Sequence, residues 1–131
     1  FRSTVMLNGV STNGTNSIIL QAGSGTVVAT GYAGAALSAA SSTPTSTANS
    51  TGVRMYGGMQ AATHVFCGAF VMELLTGSTW VITASCAEST VPYVGTGSGS
   101  IVLGGVLDRI RLTTVGSTDL FDAGSINILY E

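Results

Sequence analysis

The 131-residue chain contains no lysine, one histidine, two prolines, two cysteines and only ten charged side chains. Each shortage removes a class of chemistry. Without lysine there is no Schiff-base amine and no Walker-type phosphate clamp. The glycines of GTGSGSIVLGG, residues 95–105, therefore read as turn and strand-entry positions rather than a nucleotide cradle. Four scattered arginines and a net charge of −2 give no basic stripe, so the counterion release that drives nucleic-acid binding is missing and no nucleic-acid partner is expected. The longest apolar run, VFCGAFVMELL (residues 65–75), is interrupted by Glu73 and falls well short of the ~20 residues a spanning helix needs. No membrane insertion is expected.

Two cysteines are too few for a disulfide framework, and neither sits in a CxxC motif. On a hairpin turning at Gly77, Cys67 and Cys86 share a face but sit one pleat repeat apart, which is poor bridging geometry, so both are expected as buried free thiols. Zinc is disfavoured: His64 and Cys67, three apart on a strand, point to opposite faces, and a fourth ligand beyond Cys86 is not evident. His64 has Asp108, Asp119 and Asp122 as possible orienting carboxylates, but no GxSxG elbow supplies a nucleophile. Asp119 and Asp122 are close enough in sequence to suggest a glycosidase pair, yet VGSTDLFDAGS (115–125) is turn-like, and Asp residues there bond backbone amides. No enzymatic activity, cofactor or metal is expected.

What the chain does have is β-forming sequence. Segments rich in β-branched and aromatic residues recur between Gly, Asn, Ser and Thr: STVML, SIILQ, TVVATGY, VRMYG, HVFCGAFVMELL, TWVITASC, GSIVLGG, DRIRLTTV and SINILYE. The expected fold is all-β, one jelly-roll-like antiparallel β-sandwich over residues 1–131. The clearest hairpin is FVMELLTGSTWVITA (70–84), with Phe70, Met72 and Leu74 on one face, Thr76 to Thr79 as the turn, and Trp80 as a core anchor in preference to a sugar platform. Residues 33–52 are low in complexity and read as a long surface loop or an arm laid on a neighbour, with a possible helical turn at AGAALSAA. Asn13-Gly14-Thr15 and Asn49-Ser50-Thr51 match the glycosylation sequon, which arises readily by chance in so Ser- and Thr-rich a chain. The opening FRSTVMLNG has no signal-peptide pattern and reads as the middle of a longer chain. A surface so poor in charge points to a permanent oligomer.

Six of the ten charges fall in the last twenty-five residues, LDRIRLTTVGSTDLFDAGSINILYE. This ending resembles the C-terminal signature of tailed-bacteriophage structural proteins, tail fibres and related appendages especially, with its leucine-aspartate-arginine strand, TT turn, FDAG and final tyrosine-glutamate strand. LNGVSTNGTNSIILQAGSGTVVATGY and GSTWVITAS fit the same pattern. The resemblance implies a homotrimeric β-sandwich at the end of a longer virion protein, assembled in the host cytoplasm. It would contact other virion proteins and attach to a host-surface receptor, either glycan or outer-membrane protein. A capsid decoration or head-fibre protein is the first alternative and a glycan-cleaving tailspike the second. The resemblance brings no catalytic residue with it. Asn13 and Tyr93, in STNGTN and VPYVGTG, are candidate ligand-binding residues at turns. The strands containing Arg109, Arg111 and Glu131 are expected to pair, so that the arginines meet Glu131, Asp119 or Asp122 as structural ion pairs.

Overall fold

The computed structural model describes residues 1–40, 43–57, 61–90 and 92–131. Eleven strands occur among them: β1 Arg2–Thr12, β2 Ile18–Ser24, β3 Thr26–Val27, β4 Ala33–Ala40, β5 Thr43–Asn49, β6 Val53–Arg54, β7 Phe66–Thr76, β8 Thr79–Glu88, β9 Tyr93–Val102, β10 Arg109–Thr114 and β11 Phe121–Tyr130. A single 3₁₀ turn spans Val115–Ser117, and no helix among the described residues is long and apolar enough to cross a membrane. The strands form a seven-stranded sheet, ordered β11-β1-β7-β8-β9-β4-β5, and a smaller one ordered β10-β2-β3 with β6 also on β2. All the pairings are antiparallel.

The two sheets share one core. Alternation along β1, β7 and β8 sends Val5 and Leu7, Phe66, Phe70 and Met72, and Trp80, Ile82 and Ala84 inward, where they meet Ile18, Leu20 and Ala22 of β2. Strand β10 adds Ile110 and Leu112 at the margin, as its alternating sequence predicts. Trp80 is a core residue, 3% exposed, with the Phe1 ring edge-on at 6.3 Å.

Most of 33–52 is not a loop or an arm: Ala33–Ala40 and Thr43–Asn49 pair with each other as β4 and β5, and β4 pairs along β9 from Ala33↔Ser100 to Ala39↔Val94, while Ser41 and Ser42 lie outside the described residues. Alanine, serine and threonine supply no hydrophobic period to read, so the pairing is imposed by β9 rather than by local pattern. The glycines of 95–105 also lie elsewhere than expected. Gly95, Gly97 and Gly99 are the inward positions of β9, and the segment Val53–Tyr56 crosses directly over them. A side chain at Gly97 would collide with the Arg54 carbonyl oxygen. Conversely, TVVATGY yields only the two-residue β3; its Tyr32 turns inward, its hydroxyl accepting from Ala22 N at 2.8 Å and donating to Val28 O at 2.9 Å.

The hairpin at Gly77 forms as expected, but the faces of its cysteines do not. A register shift between Leu74 and Thr76 sets Cys67 opposite Ala87 and Gly68 opposite Cys86. One residue of slip flips every side chain beyond it, so the cysteines lie on opposite faces. Both are free, Cys86 buried and Cys67 exposed. Burial pushes the Cys86 thiol up to about 12, against a lesser lowering by the Gly95 backbone. Brief alkylation of the native protein should therefore label Cys67 alone, with Cys86 reacting only after unfolding. Two labels taken up at equal rates in the native state would contradict this placement.

Burial keeps three phenols protonated as well. Desolvation raises Tyr32 and Tyr56, and it pushes Tyr93 up to about 12 with the neighbouring Cys86 and Glu88 adding to it. Unfolded, these groups ionise near 10, and the Cys86 thiol near 9. Above those values the unfolded chain binds fewer protons than the native one, so stability is fully present below about pH 9 and falls as pH rises. For a fully buried group the slope reaches about 1.4 kcal/mol per pH unit. Urea midpoints should drop between about pH 8 and about pH 10.5, and a flat profile across that window would be inconsistent with these buried acids.

Candidate functional site

The antiparallel register gathers four connections at one end of the sandwich. They are the 13–17 turn after β1, the 61–65 segment before β7, residues 89, 90 and 92 ahead of β9, and residues 115–120 between β10 and β11. Phe1 and the Gly77 turn lie at the other end.

The 13–17 turn is clasped to the 118–120 segment by its own side chains. Asn13 Oδ1 accepts from Leu120 N at 2.9 Å while Asn13 N donates to Leu120 O at 3.0 Å. Asp119 accepts from Asn16 N at 2.8 Å and from Asn16 Nδ2 at 3.1 Å. Asp119 thus bonds a backbone amide, as its turn-like setting predicts, but the amide belongs to the distant 13–17 turn and not to a local Asx-turn. Asn13 and Thr15 form an exposed tip on a turn that is held rigidly from below.

Tyr93 is the first residue of β9 rather than a turn residue, and it is half-buried. Its ring meets His64 at 5.8 Å and Phe66 at 6.4 Å, both edge-on, and Phe66 stacks on Tyr56 at 4.4 Å. His64 Nδ1 accepts from Ala61 N at 3.4 Å, which leaves Nε2 as the protonated nitrogen. Glu88, buried beside this group, accepts from Val65 N at 2.8 Å, Thr90 N at 2.9 Å and the Thr90 hydroxyl, tying Val65 and Thr90 to the end of β8. Among the described residues the buried Tyr93 hydroxyl has no hydrogen-bond partner. Asn13 and Tyr93 share this end of the larger sheet but stand three strand spacings apart, roughly 14 Å.

The ion pairs expected across the closing strands do not form. β10 pairs with β2 in the smaller sheet and β11 with β1 in the larger, because Ile110 and Leu112 cover the core from the opposite side. Arg109 instead binds its neighbour Asp108 at 2.7 Å. That contact, with the Gly25 amide on both carboxylate oxygens, holds Asp108 below the usual carboxylate range. Arg111 Nε donates to Gln21 Oε1 at 2.7 Å across the β10–β2 pair. Asp122 accepts from the Ser11 hydroxyl at 2.5 Å, and Glu131 is held by two main-chain bonds to Arg2. The only other ion pair among the described residues is Arg2–Glu73, exposed, at 3.8 Å.

At the far end an apolar cavity of about 420 Å³ is lined by Phe1, Leu74, Trp80, Val106 and Leu107 with the Gly77–Ser78 turn. No local sequence signal marks it, since its walls come from four separate segments. Among the described residues no three His, Cys, Asp or Glu side chains converge to hold a metal ion. Comparison with known proteins finds no matching family model, curated protein or solved structure.

Proposed function

We propose that this chain is a non-enzymatic, trimeric, jelly-roll-like domain of a tailed-phage virion appendage. In this reading it attaches to a host-surface glycan or outer-membrane protein through the loops at the Asn13 and Tyr93 end. The observation that carries the reading is the gathering there of a rigidly clasped turn with an exposed tip and an aromatic group at the surface. Loops on a fixed scaffold are where recognition is ordinarily built. The roughly 14 Å between Asn13 and Tyr93 suits an extended ligand, such as several units of a surface polysaccharide, better than a single sugar. Aromatic edges and amide groups are the chemistry that sugars meet.

Competition for host cells tests this. Soluble domain should reduce adsorption of intact phage, and Thr15→Arg, at the exposed tip and outside the clasp, should abolish that effect while leaving the melting temperature unchanged. A domain that fails to compete but rebinds emptied capsids would make it a decoration protein instead. Depolymerised host polysaccharide would overturn the non-enzymatic reading.

A further inference from the structure

The last strand is unlike the others in its surroundings. Every residue of β11, Phe121–Tyr130, is exposed, although the strand pairs along one side with β1, continuously from Ser3↔Tyr130 to Asn8↔Ser125 and then through two register shifts to Thr12↔Phe121. On β1 the partners Val5 and Leu7 are buried beneath the smaller sheet, while Ile128 and Ile126 directly opposite them are 41% and 47% exposed. The smaller sheet thus stops short of β11, and the edge strand overhangs the core with Ile126, Ile128 and Tyr130 uncovered on that face and Leu129 on the other.

The two edges of the seven-stranded sheet are built differently. β5 is TPTSTAN, seven residues with a proline and no large apolar side chain, which is how an edge is kept from pairing. β11 is three residues longer and has neither proline nor basic residue; its one acidic residue, Asp122, is engaged by Ser11, and Ser125–Tyr130 is uncharged. A chain that guards one edge and leaves the other bare and apolar has a use for the bare one.

We infer that β11 is the strand through which copies of this chain hold one another, Ile126, Ile128 and Tyr130 packing against the same residues of neighbouring copies about the three-fold axis. This rests on the trimeric reading above. Area supports a second copy as the occupant. The exposures of Leu120, Phe121, Ile126, Ile128, Leu129 and Tyr130 together amount to about three fully exposed large side chains. At roughly 180 Å² each that is on the order of 500 Å² of apolar surface. A standard interface takes about 800 Å² from each partner, some 60% of it apolar, so β11 together with the adjoining Leu120 supplies the apolar share of one subunit's contribution. A closed trimer brings identical residues together around its axis, and an uncharged stretch meets its own copies without repulsion.

Light scattering on wild-type protein and two variants tests the inference. Wild type should give three chains per particle, Ile126→Asp/Ile128→Asp a monomer, and Val102→Asp, which changes an exposed apolar residue of β9, an unaltered trimer. A double variant that remains trimeric overturns the role of β11 and leaves the trimeric reading standing; a monomeric wild type overturns both. Hydrogen exchange on wild type needs no variant to fold. Amides of 125–130 should exchange at least about tenfold more slowly in the trimer than expected for an open edge strand, and rapid exchange at these positions in an intact trimer overturns the inference.

Discussion

Gly97→Ala should destabilise the fold by at least about 3 kcal/mol, beyond the usual cost of one added methyl group in a core. Ordinarily an added methyl displaces a flexible side chain. Here it would strike the carbonyl oxygen of Arg54, with the Arg54 carbonyl carbon at 3.1 Å and Ala36 Cβ at 3.3 Å closing the space around it. Relief requires β9 to move away from β4 and β8, or β6 to leave β2. Against the 5–15 kcal/mol of a typical domain, such a loss leaves a barely folded chain. Gly104→Ala is the control, since a methyl there meets nothing within 4 Å and should be neutral or stabilising by up to about 1 kcal/mol. Urea midpoints measured side by side decide the matter. A Gly97→Ala protein as stable as wild type would mean that the crossing is not closely packed.

Phe66→Ala should cost about 4 kcal/mol, or a fall of roughly 12–20 °C in melting temperature. Phe66 is fully buried, stacked on Tyr56 with the rings 8° from parallel, and touched edge-on by His64 and Tyr93. Removing the ring therefore opens a cavity and also takes away the floor under the aromatic group at the loop end. Phe66→Leu should retain most of the stability while still weakening attachment to host cells on the proposed reading. If Phe66→Ala melts within a few degrees of wild type, the ring is not the keystone of this end of the core.

The amino-acid sequence by itself determined the class of the fold and much of its inward face. Period-two alternation in FVMELL and WVITA predicts which residues of β7 and β8 point inward, and Trp80 lies in the core as that pattern requires. The turn at 77–78 was legible from its Gly and Ser, and both cysteines are free as expected, though on opposite faces and with Cys67 exposed rather than buried. That Asp119 would bond an amide was legible too, but not that the amide would be that of Asn16.

Tertiary structure alone decided the rest, wherever the deciding partner was distant in sequence. β4 and β5 are strands because β9 offers a ladder to AGAALSAA, not because that stretch prefers extension. The glycines of β9 are inward because Val53–Tyr56 needs room to cross, which no local reading of GTGSGS reveals. A single register shift near Leu75 put Cys67 and Cys86 on opposite faces. β10 and β11 went to different sheets, β10 packing Ile110 and Leu112 against the core on β2 while β11 extends the larger sheet beyond β1, and this left Arg109 with Asp108, Arg111 with Gln21 and β11 on a bare edge. Alternation says which side of a strand is apolar. Only long-range packing determines what covers it.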